Sequence, residues 1–297
     1  MPSDAYNAMV ALLGQPQPIE TPVEQYRTSY DFMGSMLPMA DGVAASDGVL
    51  GGSPVRTFAV EGTEPSRTIL YFHGGGYVIG SPESHQALTS HLAAAANATV
   101  HSVAYRLAPE HPYPAALDDA VAVYEALIDA GTDPVSIILA GDSAGGGLAL
   151  AALLTARERQ LPYPAGAVLL SPWLDLTQSG LSVIECPFDV LLSAEQLDVW
   201  SRLYAGAETD RHQPSLSPLF ADLTGLPPIL VHVGTEERLL DDSRRLAERA
   251  AACTPPLDLT LHVGDGMMHV WHYFAGSTPE ADEGVAALAE WIVLRTP

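Results

Sequence analysis

From about residue 55 onward, short runs of Val, Ile, Leu, Thr, Phe and Tyr alternate with longer Ala- and Leu-rich stretches. The runs are Arg56–Val60, Thr68–Phe72, Thr99–Ala104, Ser136–Ala140, Ala167–Leu170, Ile229–Val233 and Leu257–Val263. Their length and β-branched content fit strands. Between them, His85–Ala96, Ala115–Ala130, Ala144–Arg157, Leu239–Ala252 and Asp282–Leu294 read as helices. Strand and helix in alternation predict an α/β fold, a mostly parallel sheet covered by helices.

Two regions break this rhythm. Residues 1–50 are dotted with Met33, Met36 and Met39, and residues 182–212 carry an inserted helix. Both are expected to form a helical cap, 1–50 as its N-terminal part and 182–212 as an insertion, over a core made of 51–181 and 213–297. The Met stripe is read as ordinary packing, since Met is a general gap filler. There is no internal repeat and no low-complexity tract.

With 297 residues, 47% of them hydrophobic and 16% charged, the chain can bury a large core. Its formal net charge of -23 sets 36 acidic residues against 13 basic ones, every one an Arg. The lack of lysine excludes Schiff-base chemistry, a Ser-Lys dyad and a phosphate-loop lysine. Strong negative charge repels phosphate backbones and anionic lipids, so no nucleic acid partner is expected. Two cysteines, Cys186 and Cys253, are too few for a disulfide framework, and Met1-Pro2-Ser3-Asp4 carries no basic leader. With no apolar run of membrane-spanning length, the expectation is a cytoplasmic protein without membrane insertion.

The sharpest motif is Gly141-Asp142-Ser143-Ala144-Gly145, set between the strand Ser136–Ala140 and the helix beginning at Ala144. A strand that turns abruptly into a helix presents a serine at its apex, and small flanking residues relieve the crowding. Ser143 is therefore the candidate nucleophile. A dinucleotide-binding loop is excluded, because with Gly74 or Gly145 as the first position of the fingerprint the sixth is Ile79 or Leu150.

Upstream, the strand Thr68–Phe72 runs into His73-Gly74-Gly75-Gly76. A glycine run lets backbone N–H groups converge on an oxyanion with no side chain in the way. Gly74, Gly75 and the N–H of Ala144 are the expected donors, and His73 is read as a prop for the loop. Tyr77, Asp142 and Leu176 are candidate pocket neighbours by adjacency alone.

A base is expected late in the chain, where His262, His269 and His272 are available. His262 falls within a strand, whereas His269 follows Gly264-Asp265-Gly266, read as a turn that delivers a side chain to the sheet edge. His269 is favoured over His272. No acidic or Cys cluster accompanies that pair, so no metal and no cofactor is expected. The carboxylate that orients the imidazole is sought in Gly234-Thr235-Glu236-Glu237-Arg238, where Glu236 and Glu237 both qualify; Asp241 and Asp242 are read as decorating the first turn of the next helix.

Taken together, these motifs resemble the hormone-sensitive-lipase-like family of α/β-hydrolases, bacterial carboxylesterases with an HGGG motif and a GDSAGG elbow. The likeness covers roughly residues 55–295 through Tyr71–Tyr77, Tyr105–Glu110, Gly141–Gly147, Ser171-Pro172-Trp173-Leu174-Asp175 and Gly266-Met267-Met268-His269. It implies the α/β-hydrolase fold and a triad of Ser143, His269 and Glu237, because the family's Asp-x-Leu-x-Asp loop aligns with Glu237-Arg238-Leu239-Leu240-Asp241. Glu236 is the alternative acid. It also implies small to medium acyl esters as substrates, without a lipid interface, and a homodimer paired through a sheet edge. A lactone or amide hydrolase would use the same machinery. A non-catalytic binding protein of the same fold is the alternative of another class.

Overall fold

The computed structural model describes residues 1–186, 189–206 and 208–297. Eight strands form one sheet: β1 (Val43–Leu50), β2 (Ser53–Val60), β3 (Arg67–Phe72), β4 (Ala98–Val103), β5 (Ile137–Asp142), β6 (Gly166–Leu170), β7 (Ile229–Glu236) and β8 (Leu259–Met268). Their order is β1-β2-β4-β3-β5-β6-β7-β8. β2 runs antiparallel to β1 and β4, and every pairing from β4 through β8 is parallel. All seven expected strands are present.

β1 is the addition. Its sequence, Val-Ala-Ala-Ser-Asp-Gly-Val-Leu, has no apolar alternation because it is an edge strand exposed over most of its length. It folds back on β2 through Gly51-Gly52, both at positive φ (57° and 86°), as a two-residue hairpin turn requires. Residues 43–50, grouped with the cap on sequence grounds, thus belong to the sheet.

Helices cover both faces. α3 (Gln86–Ala96) and α9 (Pro279–Arg295) pack on one side against Ile69, Tyr71, Val100, Ile138 and Val168. α4 (Ala115–Asp129), α5 (Ala144–Glu158) and α8 (Leu240–Ala252) pack on the other against Leu70, Phe72, Leu139, Leu169 and Val231. Period-two alternation of the strands thus feeds two separate apolar layers. β3, β5 and β6 lie at the centre and are almost wholly buried, which is why they read as unbroken apolar runs.

Above the carboxyl ends of the parallel strands lie α1 (Asp4–Leu13), α2 (Val23–Ser35), α6 (Leu181–Glu185) and α7 (Ala194–Ala205). α1 and α7 begin at serine caps, where Ser3 and Ser193 side chains accept from Tyr6 N and Gln196 N. The expected insertion 182–212 includes residues 187, 188 and 207, which lie outside the described residues. No described helix is long and apolar enough to cross a membrane.

Candidate active site

Ser143 is the single residue between β5 and α5, with φ 52° and ψ −121°. This positive-φ backbone costs on the order of 1–3 kcal/mol for a non-glycine residue and persists only where its surroundings hold it. Here Ser143 N donates to Leu170 O at 2.8 Å, while Ser143 O accepts from Gly147 N at 3.1 Å and Trp173 N at 2.9 Å. The flanking glycines are fixed by crowding: a Cβ on Gly141 would overlap the Gly145 carbonyl, and one on Gly145 would overlap that of Phe72.

His269 lies one residue past β8, buried to 4% exposure. Its Nδ1 is 3.1 Å from Glu237 Oε1, which leaves Nε2 as the nitrogen able to exchange a proton. Burial pushes this imidazole down, but the charge and hydrogen bond of Glu237, with Asp189 and Asp142 further away, more than offset it. The net result is a pKa raised from the ordinary histidine value. Glu237 is fully buried and its other oxygen accepts from Ser171 Oγ at 2.7 Å and Gly234 N at 2.8 Å. Glu236, the alternative, ends β7 and pairs with Met268.

Gly264-Asp265-Gly266 is not a turn. All three lie within β8, which carries extra residues where Gly234 pairs with Gly264 but Glu236 pairs with Met268. This bulge, with Gly266 at φ 72°, aims the strand end at the site.

Gly74 departs from its expected role. Its N–H donates to Asp142 Oδ1 at 3.0 Å and approaches His85 Nε2 at 3.3 Å, so it is committed to a buried carboxylate and unavailable to an oxyanion. Gly75 and Gly76 line the cavity beside Ser143, with φ 113° and 61°, and their N–H groups have no protein acceptor among the described residues. Ala144 N opens α5, where the first helical N–H groups have no acceptor of their own. The donor set that the geometry offers is therefore Gly75, Gly76 and Ala144.

Asp142 organises this loop. Besides Gly74 N, it accepts from Tyr71 Oη at 2.7 Å and faces His85 Nε2 at 3.3 Å. Burial alone would raise its carboxyl; the His85 charge and hydrogen bond, then Tyr71, bring it below the ordinary carboxylate value. His73 Nδ1 donates to Gly74 O at 2.8 Å, and the ring stacks on Tyr105 at 4.3 Å. Burial, then His85, pushes it down to about 3, so it stays neutral in the loop wall.

A cavity of about 980 Å³, counting its open mouth, joins these elements. Gly75, Gly76, Asp142, Ser143 and His269 form its floor. Leu13, Tyr26, Tyr30 and Met33 from the N-terminal helices and Leu191, Leu192, Leu197 and Trp200 from the inserted region form its walls. The Met stripe is split: Met33 faces the cavity, Met39 packs on the sheet and Met36 is exposed. Of the adjacency candidates only Asp142 lines the cavity; Tyr77 stacks on Tyr204 at 3.8 Å, and Leu176 is buried elsewhere.

His262 is exposed on β8, and His272 is buried with its Nε2 3.1 Å from His232 Nδ1. Ser171 and Asp242 carry more than the sequence indicated. Asp242 Oδ2 accepts from Leu174 N at 2.8 Å and Asp175 N at 3.0 Å, which shapes the loop after β6.

This fold and constellation define a hydrolase of the serine type in outline, and comparison with known proteins agrees. A family model described as alpha/beta hydrolase fold matches residues 69–273. An acetyl-hydrolase of Streptomyces hygroscopicus is 42% identical over 245 residues, covering 82% of this chain and 81% of that protein. An esterase of Acinetobacter venetianus is 40% identical over 245 residues, 80% of each chain. Among solved structures, an esterase from the bacterial hormone-sensitive lipase family superposes with a TM-score of 0.94 at 38% identity over 100% of both chains. The chain belongs to the α/β-hydrolase fold family, and within it to the bacterial hormone-sensitive-lipase-type esterases.

Proposed function

We propose that this protein hydrolyses carboxylic esters of short to medium acyl chains through an acyl-enzyme on Ser143, with no cofactor. The observation that carries the reading is the 3.1 Å contact of His269 Nδ1 with Glu237 Oε1, beside a cavity that both His269 and Ser143 line. Ser143 Oγ attacks the acyl carbon and passes its proton to His269 Nε2. The carbonyl oxygen, now an oxyanion, is met by the N–H groups of Gly75, Gly76 and Ala144. His269 returns the proton to the departing alcohol as the ester C–O bond breaks. Water, deprotonated by the same nitrogen, then releases the acid and restores Ser143. Glu237 fixes the imidazole tautomer and stabilises the imidazolium. No Ser143–His269 hydrogen bond is present among the described residues, and such bonds commonly tighten only once substrate is bound.

α1 and α2 with the 182–212 segment act as the cap, and their Leu13, Tyr26 and Trp200 limit acyl length. The names of the similar acetyl-hydrolase and of an ethyl acetate hydrolase from Pseudomonas putida support small esters. A cytoplasmic location, which the unpaired Cys186 and Cys253 support, and a homodimer paired along β8 complete the reading.

The test is hydrolysis of p-nitrophenyl esters from acetate to palmitate beside Ser143→Ala. Activity should peak at short chains and fall by about 10⁴-fold in the variant. Labelling of Ser143 by a fluorophosphonate without ester turnover would move the reading to lactones or amides. No labelling would favour the binding protein.

A further inference from the structure

We infer that Tyr6 is a positioning residue for His269: its phenol oxygen fixes the last residue of β8 and thereby the turn that carries the imidazole. This rests on the esterase reading above.

The need for such a clamp follows from the backbone. The bulge interrupts the β7–β8 ladder, which resumes only at Met268 opposite Glu236, and the chain then enters a left-handed residue at Val270, φ 49°, a costly conformation for a β-branched side chain. His269 sits between the end of the ladder and this left-handed residue. Both are held from outside the turn. Met268 N donates to Tyr6 Oη at 2.6 Å, and Val270 N donates to Ser171 Oγ at 3.0 Å. Ser171 also binds Glu237, so one clamp is tied to the acid and the other comes from the N-terminal helix, 262 residues away in sequence.

Tyr6 is suited to the task. It is 2% exposed and packs in a cluster with Met267, Met268, Val270 and Trp271, against which Met9 and Val10 also lie. Burial foremost, then nearby Glu280, Glu237 and Glu236, outweigh the Met268 N–H and push the phenol up to about 12, so it remains a neutral acceptor. Its helix is itself anchored: Ser3 caps Tyr6 N at 3.1 Å, Ser3 Oγ donates to Glu280 Oε2 at 3.0 Å, and Ser3 N donates to Glu280 Oε1.

Tyr6→Phe keeps the ring and deletes the acceptor. For p-nitrophenyl butyrate, kcat per fluorophosphonate-titrated site should fall by about tenfold or more with KM nearly unchanged, since a misplaced catalytic group costs rate rather than binding. The acid limb of the pH profile should move to lower pH as His269 loosens from Glu237. Val10→Ala, which weakens the same helix packing without touching the hydrogen bond, should keep the wild-type kcat and pH profile. A Tyr6→Phe enzyme with wild-type kcat and pH profile overturns the inference, whatever its melting temperature. Equal loss in Val10→Ala also overturns it, since helix docking alone would then explain the effect. If the wild type turns over no ester, the esterase reading fails separately, and the second-order rate of Ser143 labelling, slower in Tyr6→Phe, still tests the clamp.

Discussion

Ser171 and Glu237 stand 66 residues apart and are joined by a buried 2.7 Å hydrogen bond in which the serine hydroxyl donates to the carboxylate. Ser171 itself is held at φ 44°, with its N–H on His232 O at 2.6 Å. The acid that faces His269 is thus located by the loop after β6 as well as by its own.

Ser171→Ala should leave Glu237 Oε2 with Gly234 N alone and strip Val270 N of its acceptor. An unsatisfied buried N–H costs about 1–3 kcal/mol. A lower melting temperature is expected, with kcat reduced and KM little changed. Steady-state kinetics beside a thermal melt separate the two effects.

Activity should rise with pH as His269 loses its proton, because only the neutral imidazole can accept from Ser143. Burial lowers its pKa, but Glu237 together with Asp189 and Asp142 raises it on balance, so the acid limb of kcat/KM belongs above the ordinary histidine value. Glu237→Gln should move that limb to lower pH and cut kcat, whereas Glu236→Gln should do neither. A kcat/KM profile of each variant measures this.

Asp242 predicts a stability trend of its own. Burial, then the charge of Asp175, pushes its carboxyl up to about 8 despite the two N–H groups it accepts from. Asp175 is held below its ordinary value: burial raises it, but bonds from Ser179, Thr177 and Arg245 outweigh that. A folded-state pKa above the unfolded one means that the contribution is full below about pH 4 and is lost as pH rises towards 8. The melting temperature of Asp242→Asn should therefore gain on the wild type steadily across that range. A pH-independent difference would show that Asp242 is already ionised in the folded protein.

Among the described residues no Arg lines the cavity, and Asp142 adds a carboxylate to its floor. A substrate carboxylate would enter without a partner, a cost of several kcal/mol. Hemisuccinate esters should therefore turn over at least about 100-fold more slowly than butyrate esters of the same alcohol. Comparable kcat/KM values for the two would overturn this reading of the cavity.

What was legible in the sequence was local. Strands buried on both faces announce themselves as apolar runs, and Gly141-Asp142-Ser143-Ala144-Gly145 marks its turn by crowding among neighbours in the chain. Edge strand β1 lacks that signature because solvent, not a second layer, faces most of its side chains. Only Gly51-Gly52 hinted at it. Gly264 and Gly266 have turn chemistry, yet pairing with β7 holds them in a bulged strand. Gly74 was misread because its partner, Asp142, lies 68 residues away. Ser171 and Tyr6 act through equally distant partners, and no pattern along the chain encodes such pairings.

The anchoring of Ser3 and Tyr6 on Glu280 and Met268 has a consequence for biosynthesis. A ribosome releases α1 long before the strand and helix it docks on, so that helix must wait, with Tyr6, Met9 and Val10 uncovered, until β8 and α9 have emerged. Completion of the active site therefore waits for β8 and α9, and premature termination anywhere before residue 280 yields chains whose α1 has nowhere to settle.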